Sequence, residues 1–218
     1  MTTHGTTVLD GAMMRRIGRM VLIGLMGLCL SLGFTHSQAL AGPPTDSMKS
    51  TIDEVLRIIR DKELKQAAKA EERRSLLEKV VAERFDYQEM SRRALGAPWN
   101  QLSDKEKQEF VSLFQTLLTN SYAEKVESYS GEGVQYVNER TEKDYAEVRT
   151  KILSGKTEIP LDYRLLNHGA DWRVYDVVVD GVSLVNNYRG QFTKILRASS
   201  YPDLVDQLRK KSDKLKSP

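Results

Sequence analysis

The chain has 218 residues, with 33 Lys and Arg against 30 Asp and Glu, a formal charge of +3 and one cysteine. That near-balance gives nucleic-acid binding no support, and a lone Cys excludes a disulfide framework and a cysteine metal site. Apolar residues make up 40% of the chain, enough to build a core in one domain.

The first 41 residues read as a targeting segment. Arg15, Arg16 and Arg19 form a basic region, Met20 to Phe34 is an apolar run, and Ala39-Leu40-Ala41 is a small-residue cleavage site. This is the layout of a secretory signal peptide. At about 15 residues the run is short for a membrane anchor, which needs roughly 20. Cys29 lies inside the run, but Met26-Gly27-Leu28 makes a poor lipidation signal. Cleavage after Ala41 leaves a cysteine-free chain with a charge near +1. Residues 42–48, rich in Gly and Pro, read as a flexible leader, and 49–215 as a single domain.

From Lys49, the apolar residues Ile52, Val55, Leu56 and Ile59 recur at helical spacing and predict a first amphipathic helix. The charged segment Asp61 to Ser75 continues as exposed helix or loop, and Leu76, Leu77, Val80 and Val81 mark a second helix ending near Phe85. Asp86 caps a short third helix that Gly96 closes in a left-handed conformation, with Pro98 beyond. Ser103 and Glu106 form a capping box. The helix they open is the longest, with Phe110, Leu113, Phe114, Leu117, Leu118 and Tyr122 on one face. Ser130 to Gly133 breaks it.

The period then changes from helical to alternating. Val134–Asn138, Tyr145–Leu153, Thr157–Leu166 and Trp172–Val179 predict four strands, joined by tight connections at Ser154-Gly155 and Asn167-His168-Gly169. The last strand is apolar on both alternations, as a strand covered on both faces is. Asp180-Gly181 is a turn, Ser183 a helix cap, and Leu184, Val185, Tyr188, Phe192, Ile195 and Leu196 one helical face. Pro202 starts a final helix with a basic end at Arg209, Lys210 and Lys211, either solvated or in contact with acidic headgroups.

The expected fold is α+β: an antiparallel sheet of four strands or slightly more, twisted, and covered by several helices. The long helix and the helix after Gly181 are expected to cover one face.

What is missing limits the chemistry. His168 is the only histidine beyond residue 41, in a turn where an exposed role is the plain reading. No Ser-His-Asp set, His zinc site or phosphate-binding Gly loop can be assembled. Asp176, mid-strand among apolar residues, reads either as a general base or as a structural carboxylate paired with Arg189, Tyr188 or the Ser183 cap. Phe110, Phe114, Leu117, Leu118, Tyr122, Leu161, Tyr163, Val174, Val178, Leu184, Tyr188 and Phe192 either line an apolar cavity between sheet and helices or form plain core. Arg92, Arg93 and Lys125 are candidates for docking contacts or ordinary charged surface.

Two stretches carry a resemblance. W-R-V-Y-D-V-V-V-D-G-V-S-L-V-N-N-Y-R-G-Q-F (Trp172 to Phe192) and F-D-Y-Q-E-M-S-R-R-A-L-G-A-P-W (Phe85 to Trp99) resemble the MlaC family, the toluene-tolerance auxiliary proteins. The resemblance runs from about Thr51 to Leu215. It implies a periplasmic phospholipid carrier that is no enzyme and holds acyl chains between sheet and helices. It further implies exchange with an outer-membrane lipoprotein complex and with an inner-membrane ABC transporter and its substrate-binding component. Neither nucleic acid, metal nor cofactor is expected, and a monomer is. The readings left beside it are an enzyme using Asp176 and a lipid-free periplasmic adaptor.

Overall fold

The computed structural model describes residues 42–127, 133–154, 157–169 and 171–216. The expected signal peptide and the tip of the Ser154-Gly155 hairpin lie outside the described residues. Among the described residues six α-helices surround one five-stranded antiparallel sheet. The helices are α1 (Pro43–Arg60), α2 (Ala70–Arg84), α3 (Tyr87–Leu95), α4 (Asp104–Glu127), α5 (Leu184–Ala198) and α6 (Tyr201–Lys216). The strands are β1 (Val134–Glu142), β2 (Tyr145–Ser154), β3 (Thr157–His168), β4 (Asp171–Val179) and β5 (Val182–Ser183), paired in chain order.

The segment 42–48 is no leader. Pro43 begins α1, where proline's fixed φ suits a first turn whose N–H has no intrahelical partner anyway. Pro44, Thr45 and Met48 are buried, and the Glu139 carboxylate of β1 accepts the N–H groups of Gly42 and Thr45 at 3.1 and 2.9 Å. The cap that composition could not reveal comes from almost a hundred residues away.

Other helix ends follow their sequence signals. Asp86 accepts the Glu89 N–H at 2.8 Å and Ser183 the Asn186 N–H at 3.0 Å. The Ser103–Glu106 box closes in both directions, and a second box, Ser200 with Asp203, opens α6. Gly96 ends α3 at φ +70° and ψ −138°, a region that costs other residues strain.

The long helix does not lie on the sheet as expected. Its aromatic face packs mainly on α3, α5 and α6, joining Phe110, Phe114, Leu117 and Leu118 to Met90, Val185, Leu204 and Leu208. One sheet face is covered by α1, through Met48 and Ile52, while α5, the helix after Gly181, packs on β4 as expected.

The double alternation of β4 reflects cover on both faces, as expected, and a bulge besides. Leu165 pairs with Val174 and Arg164 with Asp176, so Tyr175 is an extra residue in the ladder, a β-bulge. Side chains directly opposite share a face. Val174 and Val177 therefore both point toward α1, while Asp176 and Val178 point away. The bulge puts Val174 and Val177 in one set beneath α1, while Val178 is buried on the other face and Tyr175 packs against the helical cluster. The Asp180-Gly181 turn, with both residues at positive φ, then sets Val182 opposite Val179.

Candidate functional site

The side chains expected to line one slot fall into two packed groups. The first is helical. Phe114 meets Tyr188 and Phe192 edge-on, with ring centres 5.1 and 5.5 Å apart, and Phe110 meets Phe192 edge-on at 5.7 Å. Leu117 and Leu118 complete that group, with Tyr122 and Leu184 at its margin. The second group lies on the α1 side of the sheet, where Tyr163 and Val174 are buried and Leu161 sits at the edge. Val178 belongs to neither: it stands opposite Asp162 and Ser183, buried on the sheet face away from α1.

Cover on the α1 face thins along the strands. The row Ala146, Leu165, Val174 is buried, as are Val148 and Tyr163 in the next row. The third row runs Thr150, Leu161, Val179, Val182, and the fourth Val134, Ile152, Ile159. In these two rows Ile159, Val179 and Val182 are 37%, 38% and 57% exposed. An apolar face thus begins beneath α1 and runs out into the open. Tyr136 borders the third row, and its hydroxyl is buried with no hydrogen-bond partner. Burial, aided by the charge of Asp53, pushes that phenol up to about 12, so it stays a neutral donor at working pH. Val182 was not among the residues singled out from the sequence, and its only signal there is the two-residue turn before it.

Among the described residues, two open clefts are lined by polar side chains. One of about 540 Å³ lies between α2 and α4, walled by Glu71, Arg74, Glu78, Ser112, Gln115, Thr116, Thr119 and Asn120. Arg74 is spent within it on Glu78 and Asn120. The other, about 720 Å³, follows the charged outer face of α1 from Asp46 to Arg57. Neither suits an acyl chain.

Asp176 is 3% exposed and fully engaged. One oxygen accepts the Val185 N–H at 3.0 Å, the other the Ser183 hydroxyl at 2.7 Å and the Arg164 guanidinium at 3.1 Å. Ser183 is the partner expected, but Arg164 replaces Arg189, whose guanidinium instead lies against Gly96. A carboxylate holding three donors in a closed site fixes the start of α5 and is poorly placed to take a proton from a substrate. His168 is exposed, as its turn predicts, with Nε2 2.9 Å from the Asp86 carboxylate. Arg92 and Arg93 both bond Glu89, and Arg93 also lies over the Tyr175 ring, 4.0 Å from its centre. Lys125 sits over Tyr122.

Among the described residues no helix is long and apolar enough to cross a membrane. Comparison with known proteins gives three findings. The family described as MlaC protein matches residues 49–210. The intermembrane phospholipid transport system binding protein MlaC of Haemophilus influenzae is 23% identical over 122 residues, 53% of this chain and 57% of that protein. This chain therefore aligns with little more than half the length of that relative. A phospholipid-binding protein from Ralstonia solanacearum, solved in complex with a phospholipid, superposes with a TM-score of 0.69 at 25% identity. That likeness covers 79% of this chain and 98% of the other. The match spans most of α1 through α6, as far as the resemblance read from the sequence, and by it the chain belongs to the MlaC family.

Proposed function

We propose that the protein is a periplasmic phospholipid carrier, a soluble monomer that shuttles lipid between an outer-membrane lipoprotein complex and an inner-membrane ABC transporter with its substrate-binding component. It needs no metal, nucleotide or catalytic residue for this. The Ralstonia protein, alike over nearly its whole length, was solved with a phospholipid bound, which supports the same cargo here. The observation that carries the reading is the sheet face that loses its cover row by row toward Ile159, Val179 and Val182. Acyl chains laid there complete the cover, at a gain of about 0.8 kcal/mol per buried CH₂.

On this reading the chains lie over Leu161, Ile159, Val179 and Val182, with Tyr163 and Val174 closing the inner end beneath α1, and the rings of Phe110, Phe114, Tyr188 and Phe192 form the separate helical core. Val178, buried on the face away from α1, supports the sheet rather than the cargo. The test is phospholipid uptake from vesicles, read by mass spectrometry of the repurified protein. Leu161→Glu, at a partly exposed site, is expected to fold and to lose uptake at least tenfold, while Val137→Glu on the exposed β1 bulge leaves it unchanged. Phe114→Glu is expected to unfold the helical core and so reports nothing about cargo. A folded wild-type protein that takes up no phospholipid, or a Leu161→Glu protein that loads normally, sinks the proposal.

A further inference from the structure

The closest meeting of α1 with the sheet is also where the expected processing ends. Gly42 donates its backbone N–H to Glu139 Oε2 at 3.1 Å, and Thr45 donates to the same oxygen at 2.9 Å. Thr141 Oγ1 reaches the other oxygen at 3.4 Å. Gly42 has an unremarkable φ of −94°, so glycine is not needed there for conformation. Space matters instead: a Cβ at this position would overlap Glu139 Oε1 unless that flexible side chain moved aside. A carboxylate is therefore seated against the nitrogen that cleavage after Ala41 turns into a free amine.

We propose that Glu139 is the docking site for the α-ammonium group of Gly42, so that removal of residues 1–41 locks α1 onto the edge strand β1. Hydrolysis of the Ala41–Gly42 bond consumes one water and leaves a carboxylate on Ala41 and an amine on Gly42, the proton shed by the first being taken up by the second. Before cleavage the Gly42 nitrogen is an amide with one N–H; afterwards it carries three donors and a positive charge. Charge-assisted bonds of this kind are about twice as strong as neutral ones. The positive end of α1 opposes an ammonium at its cap. Glu139 lies against both groups and reverses that sign, with Asp46 in the first turn adding a second negative charge. The pairing rests on the processing read from Ala39-Leu40-Ala41 and is independent of the carrier reading.

The test compares thermal melts of the 42–218 chain with a free Gly42 amine and with that amine acetylated, each also in Glu139→Gln. Acetylation is expected to lower the midpoint of the wild type by about 3–6 °C, from a charge-assisted bond in a chain of this size. In Glu139→Gln the two forms are expected to melt together. Should that variant fold poorly, Gly42→Ala serves instead. Its methyl displaces the flexible Glu139 side chain and is expected to erase the same difference. An equal shift in all backgrounds, or none in the wild type, overturns the pairing. N-terminal sequencing of the exported protein is expected to begin at Gly42, and another terminus overturns the proposal while leaving the carrier reading intact.

Discussion

Asp176 shows how a single buried carboxylate can resemble a catalytic group while serving the fold. It stands among valines, the setting that suggests a base, yet two side chains and a backbone N–H all donate to it. Asp176→Asn keeps the shape but removes the charge and turns one acceptor into a donor facing other donors. The cost is about 2 kcal/mol, that of a lost helix cap with a buried N–H left short. Arg164 is 37% exposed and recovers water, so it adds little. The midpoint of unfolding is expected to drop by about 4–8 °C, with phospholipid uptake retained by the folded fraction at 20 °C. An uptake loss at full folding would restore a functional role to this residue.

At the scale of elements, the bulge in β4 and the anchoring of α3 make opposite predictions about tolerance. Deleting Tyr175 joins Val174 to Asp176 and turns an interrupted ladder into a regular one, because Leu165, Arg164 and Tyr163 already pair with Val174, Asp176 and Val177. The deletion is expected to preserve the sheet and to cost about 2–3 kcal/mol, for a half-buried aromatic and its cation–π contact with Arg93. Deleting Val177 instead turns every later residue of β4 over and is expected to prevent folding. Circular dichroism and hydrogen exchange on the two variants separate these outcomes. In α3, burial pushes the Glu89 carboxyl up, but hydrogen bonds from Arg92 and Arg93 outweigh it and hold the group below its ordinary value. A lowered folded value means stability that is complete above the unfolded value of about 4.3 and is lost as pH falls through the folded one. The loss is about 1 kcal/mol or less, since both guanidinium groups meet solvent. Urea melts at pH 6 and pH 3 are expected to show it, and Glu89→Gln to flatten it.

At the scale of the molecule, what was legible in the sequence was local and what was not was distant. Caps at Asp86, Ser103 and Ser183, the Asp180-Gly181 turn and the meander order are written within a few residues of where they act. The Glu139 cap on α1, the Arg164 partner of Asp176 and the placement of the long helix depend on residues brought together only by folding. The bulge fell between these classes. Its two apolar alternations were visible, but which residue was extra depends on the register of β3. The candidate site suffered most, because an apolar side chain reads alike in a closed core and on a binding face, and only the thinning cover separated them. On the carrier proposal, that gradient bears on how cargo would leave. A chain sliding out toward Ile159 and Val182 gives up its methylene contacts in sequence, each worth less than 1 kcal/mol. A receiving protein need only hold the first few carbons more firmly to draw the rest across. On that proposal, transfer would run as a tug between two greased surfaces, downhill in small steps.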